Sequence, residues 1–148
     1  MALAENKKAY FNYEILEKLE AGIVLTGQEV KSIRSGKISL AGSYIVIRNE
    51  EAYLINAFVP PYQAKNALPD YDPTRLRKLL LKKREIKYLM GKSQQKSLTL
   101  IPLMMYTKKG KIKIEFGLGK GKKKTDKREA IQKRETERRI KRELKIRG

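Results

Sequence analysis

Short β-rich runs bounded by glycine, proline or polar turn residues recur along the first 120 residues, and their brevity is the strongest constraint on the fold. Residues 23–25 form an apolar run between Gly22 and Gly27, as in a buried strand. We predict six antiparallel strands in all. They lie at residues 13–20, 23–25, 43–48, 52–58, 97–107 and 111–118. Because closure removes exposed sheet edges, this pattern favours an OB-like six-stranded antiparallel β-barrel with short helices.

Two tight connections support this antiparallel arrangement. Residues 49–51 separate one pair of runs and predict a hairpin, and residues 108–110 do the same for the last pair. The segment 9–19 mixes aromatic residues with helix formers, and we assign its second part to a strand. Residues 1–8 have no clear pattern, so we expect a frayed end.

A helix is predicted near residues 29–35, after the apolar run. Val30 and Ile33 are spaced to share one helix face, and Gly36 is placed to end the helix. Lys31 and Arg34 lie on the outer side, where they form a candidate RNA-binding surface. The alternative is an ordinary solvated face.

A second helical segment is predicted over residues 73–90. Asp72 is a suitable N-cap, Pro73 suits the first helical position and Gly91 suits the end. Lys83 interrupts the apolar stripe, so one helix or two shorter ones remain open. The opposite face is basic, and it comprises Arg75, Arg77, Lys78, Lys82, Arg84 and Lys87.

The charge indicates a polyanionic partner. The chain of 148 residues carries 35 Lys and Arg against 16 Asp and Glu, a net charge of +19. Residues 120–148 contribute 14 basic and 5 acidic residues, or +9, and the remainder contributes +10. No basic segment also has a continuous apolar face, which favours nucleic acid over a membrane.

Absent residue types exclude most enzyme classes. The chain has neither Cys nor His, so it lacks the usual zinc ligands, Cys/His and Ser/His nucleophile pairs, and the commonest general base. Asp70 and Asp72 are explained by a loop and an N-cap better than by magnesium. We therefore expect no catalytic residue, metal or cofactor. Without a secretory leader or membrane-spanning run, we expect a soluble cytoplasmic protein.

Two glycine patterns are not nucleotide-binding motifs. Residues 91–93 resemble the end of a phosphate-binding loop, but the earlier glycine is replaced by Ile86. Gly117, Gly119 and Gly121 are evenly spaced and precede lysines, so we interpret them as flexible.

Residues 120–148 form a basic tail of different character. They contain few large apolar residues but many helix formers, with Glu and Lys or Arg repeatedly four residues apart. We predict a tail that is disordered in the free protein and becomes helical against RNA. Lys120 and Lys122 begin its basic cluster and are candidate RNA contacts.

Four runs in order resemble the small protein B family, the tmRNA-binding proteins of bacterial ribosome rescue. They are NKKAYFNYEILEKLEAGIVLTGQEVKSIRSGK, SYIVIRNEEAYLINAFVPPY, DPTRLRKLLLKKREIKYLMG and GLGKGKKKTDKRE. The resemblance implies an OB-like barrel that binds the tRNA-like domain of tmRNA. It also implies delivery of alanyl-tmRNA, with elongation factor Tu, to the A site of a stalled ribosome. We expect a monomer.

The resemblance also implies roles for individual residues. Glu20, Leu80, Lys113 and Lys120 match positions that contact tmRNA, and Lys82 stands where many members have His. The tail is implied to lie in the mRNA channel and become helical there. Contacts with the small-subunit decoding centre are implied for Lys123, Lys124, Thr125, Asp126, Lys127 and Arg128. Thr125 replaces a ring found in some members.

Two other functions fit a basic chain of this size. A structural ribosomal protein would bind ribosomal RNA constitutively and would stay with the subunit through salt washes. A metal-dependent RNA nuclease would cleave RNA when Mg²⁺ is added and would lose activity in Asp72→Ala. Neither has a sequence feature that ribosome rescue does not also explain.

Overall fold

The computed structural model of the chain describes residues 2–63, 70–95, 97–122 and Arg138. The described residues form seven strands and three helices. In chain order these are β1 (Ala2–Glu5), α1 (Lys7–Asn12), β2 (Tyr13–Ile23), α2 (Gly27–Arg34), β3 (Tyr44–Arg48), β4 (Glu51–Ile55), β5 (Arg77–Leu80), α3 (Lys83–Ser93), β6 (Leu98–Lys108) and β7 (Lys111–Gly121).

Six of these strands close into a ring. The sheet order is β1-β6-β3-β4-β5-β2-β7, and β6 also pairs with β7, so β2 to β7 form a cycle, while β1 pairs with β6 further along that strand than β3 does. The pairings among these strands are antiparallel. The mainly β prediction is confirmed, whereas the assignment to the OB class stays a prediction.

Two-residue turns explain the tight hairpins. Asn49 and Glu50 join β3 to β4, and Lys109 and Gly110 join β6 to β7, each with positive φ. Positive φ at both central residues matches the twist of the flanking strands, which favours such turns in hairpins. Both predicted hairpins are therefore confirmed, with turns one residue shorter than expected.

The interior of the ring forms the main core. Buried side chains from β2 to β7, from α2 and from α3 meet there, including Ile33 and Leu89, each fully buried. A smaller core lies on the outside, where Ala9 of α1 packs with Ile101 and Leu103 of β6. The helix predicted near residues 29–35 is confirmed as α2.

The helix predicted over residues 73–90 is wrong in its first half, whereas its second half is helical and continues past Gly91 to Ser93. Asp72 Oδ1 accepts from the backbone N and Oγ1 of Thr74 at 3.0 Å, which makes a local turn rather than a helix N-cap. Strand β5 follows, and the helix begins only at Lys83. In β5 the buried and exposed positions alternate, with Arg77 and Leu79 inside and Lys78 and Leu80 outside.

Other expectations need smaller corrections. Residues 2–5 form β1 instead of a frayed end, and one strand, β2, covers residues 13–23, so residues 24 and 25 of the strand predicted at 23–25 lie beyond its end. Strand β7 continues through Gly121, beyond the domain boundary expected after residue 119. Gly117 and Gly119 are buried in β7, so their interpretation as flexible is also wrong. The predicted tail lies outside the described residues, apart from residues 120–122 and 138.

Candidate nucleic-acid interface

A row of four residues crosses the outside of the ring. Leu80 of β5 pairs with Gly22 of β2, Gly22 pairs with Lys113 of β7, and Lys113 pairs with Tyr106 of β6. A β-carbon added to Gly22 would lie 3.4 Å from Leu80 Cβ and 3.7 Å from Lys113 Nζ. The missing side chain therefore leaves room between an exposed leucine and an amine.

Three members of this row, Gly22, Leu80 and Lys113, line a groove of about 500 Å³, here called the central groove, which carries three lysines and four glutamates. Its walls carry charged side chains and its floor is partly apolar. It is lined by Glu20, Ala21, Gly22, Glu50, Glu51, Lys78, Leu79, Leu80, Leu81, Lys82, Glu85, Ile86 and Lys113. Four of the predicted RNA-binding residues, Glu20, Leu80, Lys82 and Lys113, are thus brought together from separate parts of the chain.

A second, smaller groove of about 300 Å³ adjoins the first and shares Gly22, Leu80 and Lys113 with it. Arg34 of α2 lines this groove, and its Nη2 donates to the carbonyl of Gly110 at 2.9 Å. The predicted Arg34 is therefore placed beside the row. Lys31 is exposed on the same helix but lines neither of these two grooves.

Glu20 is held by two donors. Its carboxylate accepts from the Tyr106 hydroxyl and from Lys108 Nζ, the latter at 3.3 and 3.4 Å. The hydrogen bond from Tyr106 is the main cause that lowers the pKa of Glu20, and Lys108 adds to it. Burial, followed by Glu20, raises the pKa of Tyr106. Glu20 is therefore a charged residue that orients a lysine, one of the two roles we consider for a carboxylate beside RNA.

Lys108 is a candidate that sequence reasoning missed, because it was placed in a turn. It lies in β6, and its side chain is 55% exposed. An alternating pattern carried two residues further along β6 would have placed it on the same face as Tyr106.

Lys120 and Lys122 are separated from the central groove. Lys120 pairs with Glu14 and Leu98, whereas Lys113 lies near the opposite end of β7. At the strand rise of about 3.4 Å per residue, Lys113 and Lys120 are about 24 Å apart along β7. Lys122 Nζ donates to the Tyr10 carbonyl at 3.0 Å. The predicted residues 123–128 lie outside the described residues.

A buried ion pair anchors the start of β5, three residues before Leu80. Arg77 and Glu29 have fully buried side chains, and Arg77 Nε donates to Glu29 Oε2 at 2.8 Å. Arg77 also donates to the carbonyls of Ala57 at 2.9 Å and Pro73 at 3.0 Å. The network joins α2 to β5 and to the segment that connects β4 with β5. It therefore fixes α2 and β5, two elements that line the grooves.

This network corrects the basic face predicted for residues 73–90. Arg77 lies inside the protein, and Arg75 Nε donates to Glu29 Oε2 at 2.9 Å. A signal was present in the sequence, because Thr26 and Glu29 have capping-box spacing. Both bonds of that box form, at 2.9 Å from the Thr26 amide to Glu29 and 3.2 Å in return.

Two features were searched for among the described residues, a cluster of metal ligands and a membrane-spanning helix. Within the ranges that the structure describes, no three acidic side chains come together as metal ligands. In the same ranges, no helix has the length and apolar character needed to cross a membrane.

The model of the SmpB protein family matches residues 3–146. The chain belongs to the SmpB family. This confirms the family that the sequence runs resemble.

Other members are similar over nearly their whole length. An SsrA-binding protein of Persephonella marina is 52% identical over 143 residues, which cover 97% of this chain and 93% of that protein. One from Acaryochloris marina is 50% identical over 143 residues, with the same coverage of 97% and 93%.

The SmpB-family fold also matches a solved structure. A chain of the structure described as "tmRNA-SmpB: a journey to the center of the bacterial ribosome" aligns with a TM-score of 0.68 and 46% identity. The alignment covers 86% of this chain and 92% of that chain.

Proposed function

We propose that this protein binds the tRNA-like domain of tmRNA and delivers it to the A site of stalled ribosomes for trans-translation. Two kinds of observation support the proposal. The chain is a member of the SmpB family with relatives named SsrA-binding proteins, and its described surface has a groove that brings together Lys78, Lys82 and Lys113.

The observation that best supports RNA binding is that Leu80 and Lys113 lie on either side of Gly22. Lys113 and Lys82 supply positive charge to the groove, and Leu80 is 54% exposed between strands. Lysines suit phosphates, and an exposed apolar side chain suits a ribose or an unstacked base. Such a surface recognises a folded RNA by its shape more than by its sequence.

The delivery part relies on the separation of the two cationic regions. Lys113 contacts the RNA in this proposal, whereas Lys120 and Lys122 lead away from the barrel at the other end of β7. Residues 123–128 then reach the decoding centre, and the following tail enters the mRNA channel and becomes helical. Binding coupled to folding is typical of such a cationic segment.

The remaining features complete the proposed cycle. The protein acts as a cytoplasmic, OB-like, non-enzymatic monomer. It accompanies alanyl-tmRNA together with elongation factor Tu. Because its lysines pair with RNA phosphates and release their counterions, we expect the affinity for RNA to fall steeply as the salt concentration rises.

RNA preference tests the proposal directly. Fluorescence anisotropy would compare a labelled transcript of the tRNA-like domain with an unrelated RNA duplex of equal length at physiological salt. We expect tighter binding to the tRNA-like domain, because shape complementarity adds to the charge attraction. Equal affinity for the two RNAs would overturn the proposal.

A further inference from the structure

Two similar side-chain triads lie at the two ends of the row that runs from Leu80 to Tyr106. In each, a glutamate accepts hydrogen bonds from a tyrosine hydroxyl and from a lysine amine. One triad is Glu20, Tyr106 and Lys108, described above. The other is Glu51, Tyr53 and Lys78, in which Lys78 Nζ donates to Glu51 Oε1 at 3.1 Å. We call the second one the β4–β5 triad.

The strand order places the two triads on opposite sides of the row. The β4–β5 triad lies on β4 and β5, where Tyr53 pairs directly with Lys78. Lys108 lies on β6, and β2 and β7 stand between β5 and β6. Around the ring, Lys78 on β5 and Lys108 on β6 are three strand spacings of about 4.8 Å apart in either direction, or about 14 Å. One phosphate therefore does not contact both lysines.

Stability does not explain the β4–β5 triad. The side chains of Lys78 and Glu51 are 45% and 41% exposed. Ion pairs at such exposure contribute little to folding, because water screens them and ordering the side chains costs entropy. Both residues line the central groove, where an ordered lysine has another use.

Lys78 is suited to bind a phosphate while it remains paired. An ammonium has three donors, and the bond to Glu51 uses one of them. Because Glu51 is itself held by Tyr53, the lysine is directed before any ligand arrives. Ordering a flexible side chain in advance lowers the entropy cost of binding. The hydrogen bond from Tyr53, and then Lys78, lower the pKa of Glu51, so the carboxylate stays charged at neutral pH.

We infer that Lys78, positioned by Glu51 and Tyr53, is a second RNA-phosphate contact in the central groove, in addition to Lys113. This inference rests on the proposed RNA binding and extends its footprint to β4. The ligand is the sugar–phosphate backbone of a folded RNA in which two backbone segments come close together. A single strand lacks the second segment.

Lysine substitutions measured against salt concentration test the inference. We expect Lys78→Ala to weaken binding of the tRNA-like domain transcript about three- to tenfold and to reduce the salt slope by about one, and Lys78→Arg to restore both. Lys18→Ala is the matched control. Lys18 is also a half-exposed lysine near a glutamate and a tyrosine ring, with Nζ 4.0 Å from Glu115, but it does not line the groove.

Replacing the carboxylate separates positioning from simple charge. Glu51→Gln raises the net charge by one, so electrostatic attraction alone predicts tighter RNA binding. Positioning predicts weaker binding, because Lys78 loses its partner. The melting temperature of each free variant should stay close to that of the wild type, since the triad is exposed.

Several results would overturn the inference. These are unchanged binding in Lys78→Ala, equal losses in Lys78→Ala and Lys18→Ala, tighter binding in Glu51→Gln, or equal losses on a single-stranded RNA. If the wild-type protein shows no preference for the tRNA-like domain, the proposed function itself fails. The wild-type measurement therefore distinguishes the two failures.

Discussion

Arg77 Nε donates to Glu29 Oε2 at 2.8 Å, and both side chains are completely buried. Removing one charge of a buried pair leaves the other without compensation, which costs roughly 3–5 kcal/mol. We therefore expect Glu29→Gln to lower the free energy of unfolding by about that amount, measured by urea denaturation followed by circular dichroism.

Glu85 provides a matched control for that substitution. It occupies the same capping-box position in α3, where it accepts from the Lys82 amide at 2.9 Å, but this bond is exposed to solvent. Glu85→Gln should cost no more than about 1 kcal/mol. Similar losses in the two variants would show that Glu29 acts only as a cap.

Glu29 should also make stability depend on pH. Burial alone would raise its pKa, but hydrogen bonds from Arg75, Thr26 and Arg77 lower it from 4.5 to about 2. The unfolded chain therefore takes up the proton first as the pH falls, so this contribution is complete above about pH 4.5 and is lost toward pH 2. The loss is roughly 3 kcal/mol. Urea denaturation at several pH values should show a flatter pH profile for Glu29→Gln, and parallel profiles would contradict this role.

Local patterns predicted the hairpins and α2, but they misassigned β5. Pro73 followed by the leucines at residues 79–81 is typical of a helix, so the segment was assigned to one. The strand that forms there, β5, has only four residues. A basic residue is ordinarily assigned to the surface. Arg77 is buried because Glu29, 48 positions earlier, pairs with it, and no local pattern contains that information. β1 was missed because four residues give no measurable periodicity.

Glycines in β7 show a similar limit, and they support a packing prediction. A β-carbon on Gly117 would lie 2.8 Å from Ile15 Cγ2 and 3.2 Å from Leu103 Cδ1, whereas one on Gly121 would meet nothing within 4 Å. Overpacking of this kind typically costs about 1–3 kcal/mol. Gly117→Ala should therefore be destabilised by that amount in thermal denaturation, and Gly121→Ala should stay within about 0.5 kcal/mol of wild type. Equal stability of the two variants would restore the interpretation as flexible linker residues.

The family resemblance, and not the local patterns, named three residues that the structure brings together in the candidate site. Composition indicated a polyanion partner, but it could not show that Glu20, Leu80 and Lys113 meet. Their meeting depends on the order of β5, β2 and β7 in the sheet. The bonds from Lys108 to Glu20 and from Lys78 to Glu51 were missed because a side-chain pair across strands leaves no trace in a local sequence window.

Lys113→Ala tests the centre of the groove. If Lys113 neutralises one phosphate, its removal should weaken tmRNA binding and reduce the slope of log affinity against log salt by about one. Anisotropy titrations at four or more salt concentrations would measure this slope. Lys18→Ala, outside the groove, should leave the slope near the wild-type value. An unchanged slope in Lys113→Ala would reject the phosphate contact.

Truncation before Asp126 tests the division between RNA binding and ribosome contact. The remaining chain keeps every strand and helix described above, since β7 ends at Gly121. We therefore expect the truncated protein to fold, with an unchanged melting temperature, and to bind the tRNA-like domain with nearly wild-type affinity. Tagging of nascent chains on ribosomes stalled at the end of a message lacking a stop codon should be lost in a reconstituted translation system.

Lys113→Ala should show the opposite combination at limiting protein, with weakened RNA binding and tagging that recovers as protein is added, because its tail is intact. Tagging by the truncated protein at the wild-type level would contradict a separate role for the tail, and a parallel loss of RNA affinity would place the tail in the RNA-binding surface instead.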